Sequence, residues 1–154
     1  MLRAFQLCVL LIIMLHHTAP QKPSPARPVQ EDPCAKAMSQ FDLDECWGQQ
    51  YGRADAHLNA LYRKLLGLME KDLINDKQQN DVDMVKFDET ALLDLKKTER
   101  LWIRYRDSQC DAAAQQIDGG SMAPMTRSIC LMDATNHRID ELKDAYETPD
   151  RKLE

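Results

Sequence analysis

Cysteines, histidines and one glycine-rich turn are the residues of this chain whose types and spacing could do chemistry. Of its 5 cysteines, Cys8 sits in an apolar N-terminal run. The other four, Cys34, Cys46, Cys110 and Cys130, are an even set, which in an exported chain reads as two disulfides. No Cys-x-x-Cys and no histidine pair accompanies them, so bridges explain them better than zinc does, and no metal is expected. Past the N-terminal region the histidines are His57 and His137, each on a predicted helix with no serine or cysteine nucleophile at a defensible spacing. Acidic residues are frequent throughout, so choosing two as a glycosidase pair would be arbitrary. The chain reads as a non-enzyme, with no catalytic residues and no cofactor.

What remains is shape. Asp118-Gly119-Gly120-Ser121-Met122-Ala123-Pro124-Met125 combines glycines that allow close backbone approach, a hydroxyl and two adaptable methionines. The candidate contact residues are Asp118, Gly119, Gly120, Ser121, Met122 and Met125. A glycine-serine turn ahead of a helix can also hold an anion on its free N–H groups, but Asp118 beside it opposes that use.

The compartment follows from the first residues. Arg3, an apolar run from Leu7 to Leu15, then His16, His17 and a Pro-rich stretch have the layout of an export signal. The run is too short to span a bilayer comfortably, and no cysteine follows it to accept a lipid. Residues 1–26 are therefore expected to hold a cleaved signal and the start of a tether, leaving a periplasmic or secreted chain without a stable membrane anchor. Losing Arg3 and Lys22 makes that chain two charges more negative than the formal −5 of the full sequence. Phosphates would repel such a surface, which argues against nucleic acid, while a basic partner would be steered toward it.

Helices must position these residues. The 154 residues, 29% of them charged with few glycines or aromatics, suit one soluble helical domain. An extended linker over 27–33 precedes a helical domain at 34–148 and a C-terminal tail at 149–154. Tyr51, Ala54, Leu58, Leu61, Leu65 and Leu68 recur at three and four, predicting a first long helix that ends between Met69 and Asn75. Asp42, Asp44 and Glu45 suit its positive N-terminal end. The polar stretch Asp72 to Lys86 reads as a connection with room for a short helical piece. A second helix is expected from about Asp88 to Gln116, with Leu95, Thr98, Trp102, Tyr105, Gln109 and Ala112 as its inward stripe. Gly119-Gly120 breaks it, Ser121 can cap a third helix, and Pro124 is tolerated in that helix's first turn. Met125, Ile129, Met132, Asn136, Ile139 and Tyr146 mark the third helix. The fold class is all-α: a small up-down bundle of about three long helices with two disulfides.

Counting from the turn gives a test of pairing. Cys110 lies ten residues before Gly120 and Cys130 ten after, which brings them face to face in an antiparallel pair. Cys34 and Cys46 would be about 18 Å apart on one continuous helix, too far for a bridge, so a turn between them near Ser39 to Asp42 is required. Both bridges fall at one end of an up-down-up bundle, so the crossed pairings stay open. The same count sets Trp102 level with Arg138 and predicts that the guanidinium packs on the indole ring.

Asp55, Leu58-Asn59, Tyr62, Arg100, Trp102, Arg106-Asp107, Cys110, Gly120-Ser121, Cys130, Thr135, Arg138 and Leu142 together resemble the LprI-like lysozyme inhibitor family of small exported bacterial proteins. The order Trp-x-x-x-Arg-Asp-x-x-Cys, then Gly-Gly-Ser, then a cysteine carries the resemblance, which spans Cys34 to about Tyr146. It implies an all-helical, disulfide-bonded domain outside the cytoplasm. Trp102, Arg106, Asp107 and Arg138 are read as structural. The implied function is inhibition of lysozyme, a basic glycoside hydrolase, with the 118–125 turn entering or bordering the cleft. The alternative is an envelope interaction or structural protein that uses its helix faces and does not bind lysozyme. Oligomeric state is left open.

Overall fold

Ser39 begins the first helix, its hydroxyl accepting from the Asp42 N–H at 3.1 Å and so satisfying one of the donors that every helix start leaves over. This helix, α1, runs from Gln40 to Gln79, α2 from Val82 to Gln115 and α3 from Ala123 to Tyr146. The structure is a computed structural model describing residues 32–117, 120–149 and 151–153. The expected signal and most of the expected linker, with Asp118 and Gly119 of the turn, lie outside the described residues.

The expected Asp72–Lys86 connection is instead helix on both sides of a break at Asn80 and Asp81. Asn80 takes a left-handed backbone with φ of 58°, and its N–H reaches the carbonyls of Asp76 and Lys77. Asp81 then caps α2 by accepting from Met84 N at 3.1 Å. Asparagine is among the few residues that enter that conformation readily, and an aspartate is a strong helix starter. The stretch looked like a loop because most of its side chains face water. Lys and Gln favour helix even without an apolar stripe.

Leu58, Leu61 and Leu65 of α1 meet Leu95 of α2 and Ile139 and Leu142 of α3 in one core cluster. Each leucine fully removed from water contributes about 1.5–3 kcal/mol. The α1 stripe read from spacing is the one that is buried. The α2 stripe is not. Thr98, Tyr105 and Gln109 are exposed, whereas Leu95, Glu99, Arg106 and Cys110 are buried, with Trp102 half-buried. The true inward face carries two charges, so the apolar period tracked the neighbouring face. On α3 the buried positions are Leu131, Thr135, Ile139 and Leu142, and Asn136 is exposed.

Both disulfides stand at the end where α1 begins, α2 ends and α3 begins. Cys34 pairs with Cys46 and Cys110 with Cys130, with Cα–Cα separations of 5.9 and 5.5 Å. Cys34 precedes α1 in a short hydrogen-bonded turn, Ala37 N donating to Cys34 O at 2.9 Å, which is the change of direction that the first bridge requires. At the far end the residues after Tyr146 fold back. Thr148 and Arg151 exchange backbone hydrogen bonds, Arg151 pairs with Asp72, and Leu153 joins the core cluster.

Candidate functional site

The α2–α3 turn is built on a braced base. Its Cys110–Cys130 bridge buries Cys110 completely, and one turn further out Arg127 Nε donates to Asp111 Oδ1 at 2.6 Å. The chain then reverses in a few residues, Gly120 N donating to Ile117 O at 2.9 Å and Ala123 N to Gly120 O at 3.0 Å. A Cβ at Gly120 would stand 3.2 Å from the Ile117 carbonyl oxygen, closer than side-chain carbons ordinarily come. A side chain there would require that carbonyl to give way by a few tenths of an ångström.

Beyond that base the turn presents Gly120, Ser121, Met122 and Pro124 to solvent, while Met125 is half-buried. Met122 is 48% exposed. Ser121 does not cap α3. The cap position is Met122, which makes no side-chain capping bond. A serine cap at 121 would place Pro124 three residues on, where an N–H should answer the hydroxyl, and proline has none. The Ser121 side chain is therefore left at the surface.

Behind the turn, a ladder of charges ties the three helices together. Arg106 of α2 donates from Nη1 to Asp55 Oδ1 of α1 at 3.1 Å and to Thr135 Oγ1 of α3 at 3.2 Å, and from Nε to Asp107 at 3.0 Å. One guanidinium thus reaches all three helices. Nearer the middle of the bundle, Arg138 of α3 donates from Nε and Nη2 to Glu99 Oε2 of α2 at 3.0 and 2.9 Å, and from Nη1 to Glu141. Both guanidinium carbons lie over the Trp102 ring, 5.1 Å from its centroid for Arg106 and 5.6 Å for Arg138. Tyr51 stands 5.5 Å from Arg106.

The electrostatics follow from burial. Burial works against the charge on Arg106, yet the hydrogen bonds to Asp107 and Asp55 and the negative charge of Asp107 more than offset it, and its pKa is raised. Arg138 behaves alike, with burial outweighed by Glu141 and Glu99. Burial also raises the Tyr51 and Tyr62 hydroxyls above the usual 10.0, keeping them neutral. These charges pair with one another across the helices, and Arg138 and Glu141 also line a groove between α2 and α3.

Trp102, Arg106, Asp107 and Arg138, singled out from sequence, all lie in this ladder. Glu99 and Glu141 were missed, and Asp55 and Thr135 entered only through the resemblance. The signal was present as Leu95, Glu99, Trp102, Arg106 and Cys110, a run of helical spacings whose apolar members must face inward and carry the charges with them. His57 is exposed, and His137 is a surface residue beside Glu141 at 3.4 Å. A shallow groove of about 300 Å³ between α2 and α3 includes Ala91, Asp94, Leu95, Thr98, Leu142 and Tyr146. On the same side of α2, Leu101 and Tyr105 are 55% and 64% exposed. Among the described residues no helix is long and apolar enough to cross a membrane.

The sequence profile described as Lysozyme inhibitor LprI matches residues 32–142 of this chain. The chain is also similar to an uncharacterized protein of Rhizobium meliloti (strain 1021), at 44% identity over 126 residues that cover 81% of this chain and 87% of that protein. No solved structure matches it.

Proposed function

The chain belongs to the LprI lysozyme inhibitor family, and on that premise we propose that it is an exported binding protein that blocks lysozyme by occupying its cleft. The observation that carries this reading beyond membership is the braced turn. Gly120, Ser121 and Met122 are exposed on a tight reversal whose base is held by Cys110–Cys130 and Arg127–Asp111. An inhibitor performs no reaction. It needs a shape that loses little freedom on binding, and a short turn cross-linked at its base meets that need. Asp118 and Gly119 complete the proposed contact set.

Two disulfides persist in oxidising compartments, which supports a periplasmic or secreted location. The formal net charge of −5 favours encounter with a basic enzyme. The test is lysis of a peptidoglycan substrate by a panel of lysozymes with the oxidised protein present, beside calorimetric binding. Stoichiometric inhibition is expected, and Met122→Ala should weaken it about tenfold or more while thermal stability is unchanged. Absence of binding across the panel would remove the reading.

A second reading rests on a different observation. Leu101 and Tyr105 expose a helix face beside the α2–α3 groove, suiting an envelope protein that grips a partner there. Changes at Met122 would leave such binding intact, whereas Tyr105→Ala would weaken it.

A further inference from the structure

On the side of α2 that faces away from the core, one strip of surface combines unpaired cations with exposed apolar side chains. At about 100° per residue, Lys86, Leu93, Lys97, Arg100 and Arg104 fall within about 60° of one another. All five are exposed, and buried Leu95, Glu99 and Arg106 occupy the opposite side of the helix. Leu101 borders this strip on the side where Phe87 and Tyr105 stand. Leu93 is 68% and Phe87 65% exposed, comparable with Leu101 and Tyr105. The strip itself holds no carboxylate. At its edges Glu89 is paired with Lys77 and Asp107 with Arg106, and Asp94 borders the groove with α3.

Charge is segregated over the bundle. Lys77, Lys96, Arg106, Arg127, Arg138 and Arg151 pair with carboxylates. Among the described residues none of the four cations of the strip does. The outer face of α3 is the reverse, exposing Asp133, Asp140 and Asp144. The excess of 25 acidic over 20 basic residues is thus unevenly spread, and α2 presents the anion-seeking face.

We propose that this strip docks the protein on an anionic phospholipid surface, its four cations meeting lipid phosphates while Leu93 and Leu101 enter the boundary between headgroups and acyl chains. A soluble polyanion would use the cations and leave the leucines in water. A bilayer interface takes both, because lysine and arginine stems are long enough to reach phosphates above an inserted leucine. From Lys86 to Arg104 the row runs about 27 Å along the helix, a straight contact suited to a flat surface. Acids on the far side of the bundle oppose it weakly, since exposed charges more than about 8 Å away are largely screened at physiological ionic strength. The contact is peripheral, as no helix among the described residues is long and apolar enough to cross a membrane. The strip ends short of the α2–α3 turn, so Met122 stays free, and the docking does not rest on lysozyme binding.

The experiment is sedimentation of the oxidised protein with phosphatidylcholine vesicles, with and without phosphatidylglycerol. Binding should require phosphatidylglycerol and weaken as salt is raised. The combined substitution Lys97→Gln, Arg100→Gln and Arg104→Gln should weaken it about tenfold or more. Leu93→Ala with Leu101→Ala, charges intact, should weaken it about threefold or more. All five side chains are exposed, so thermal unfolding should stay unchanged and loss of binding is not loss of fold. No binding to phosphatidylglycerol vesicles, or equal binding without that lipid, would overturn the docking. So would binding that survives the triple substitution, which would place the contact elsewhere in the chain. Poly-glutamate serves as the soluble probe: binding to it as tight as to vesicles and indifferent to the leucine changes would make the occupant an acidic polypeptide and overturn the membrane assignment.

Discussion

At Arg106 and Arg138 the cost of burying a charge sets the design. A guanidinium moved out of water without partners would lose several kcal/mol, so each is surrounded by carboxylates and set against an aromatic face. Arg138 shows why lysine could not serve. Its Nε and Nη2 both reach Glu99 Oε2 while the flat guanidinium lies over Trp102, and an ammonium offers neither a fork nor a plane. Arg138→Lys should lower stability by about 1–3 kcal/mol, read as a shifted urea midpoint with an unchanged slope. Unchanged stability would mean that the contact with Trp102 and Glu99 contributes nothing. These partners were only half legible beforehand. Trp102, Arg106, Asp107 and Arg138 stood out, but Glu99 looked like one more surface acid, because one helix read alone cannot say which of its charges has a partner waiting on the next.

At the scale of elements, α1 and α3 were legible where apolar residues repeat at three and four, and α2 was misread by rotation. Its buried face alternates leucine and cysteine with glutamate and arginine, so the apolar period pointed toward Thr98 and Tyr105, which are exposed. The α1–α2 junction was misread for a related reason. Polar residues there cover both helices at a solvent-facing tip, and a two-residue break through left-handed Asn80 replaces the expected loop. The α2–α3 turn was legible because its glycines and the cysteines ten residues to either side are local signals. Replacing Cys110 and Cys130 together by serine opens a loop of 20 residues and should cost about 3 kcal/mol of stability. If the turn is the inhibitory element, affinity for lysozyme falls as well. Chemical denaturation and calorimetry on the same variant separate the two effects, and unchanged affinity would move the contact elsewhere.

Across the whole bundle, helix length decides how the ends differ. The 40 residues of α1 span about 60 Å and the 24 of α3 about 36 Å, so three helices and two disulfides consolidate one end while the other is a two-helix tip. The residues after α3 compensate by returning Leu153 to the core. Leu153→Ala should cost about 2 kcal/mol or more, measured by thermal or urea unfolding, and a loss near zero would make the segment a bystander. The residues 149–154 read from sequence as a tail because a lone leucine seven residues past a helix carries no periodic signal. By itself the sequence determined the all-α class, the four bridging cysteines with a favoured pairing, the turn and the family resemblance. These rest on spacing along one chain, cysteine count and backbone freedom, all local properties. Only the tertiary structure decided which face of α2 is inside, where the buried charges find partners, and that Arg151 meets Asp72. Each of those depends on residues distant in sequence that packing brings together, where burial changes what a charge costs.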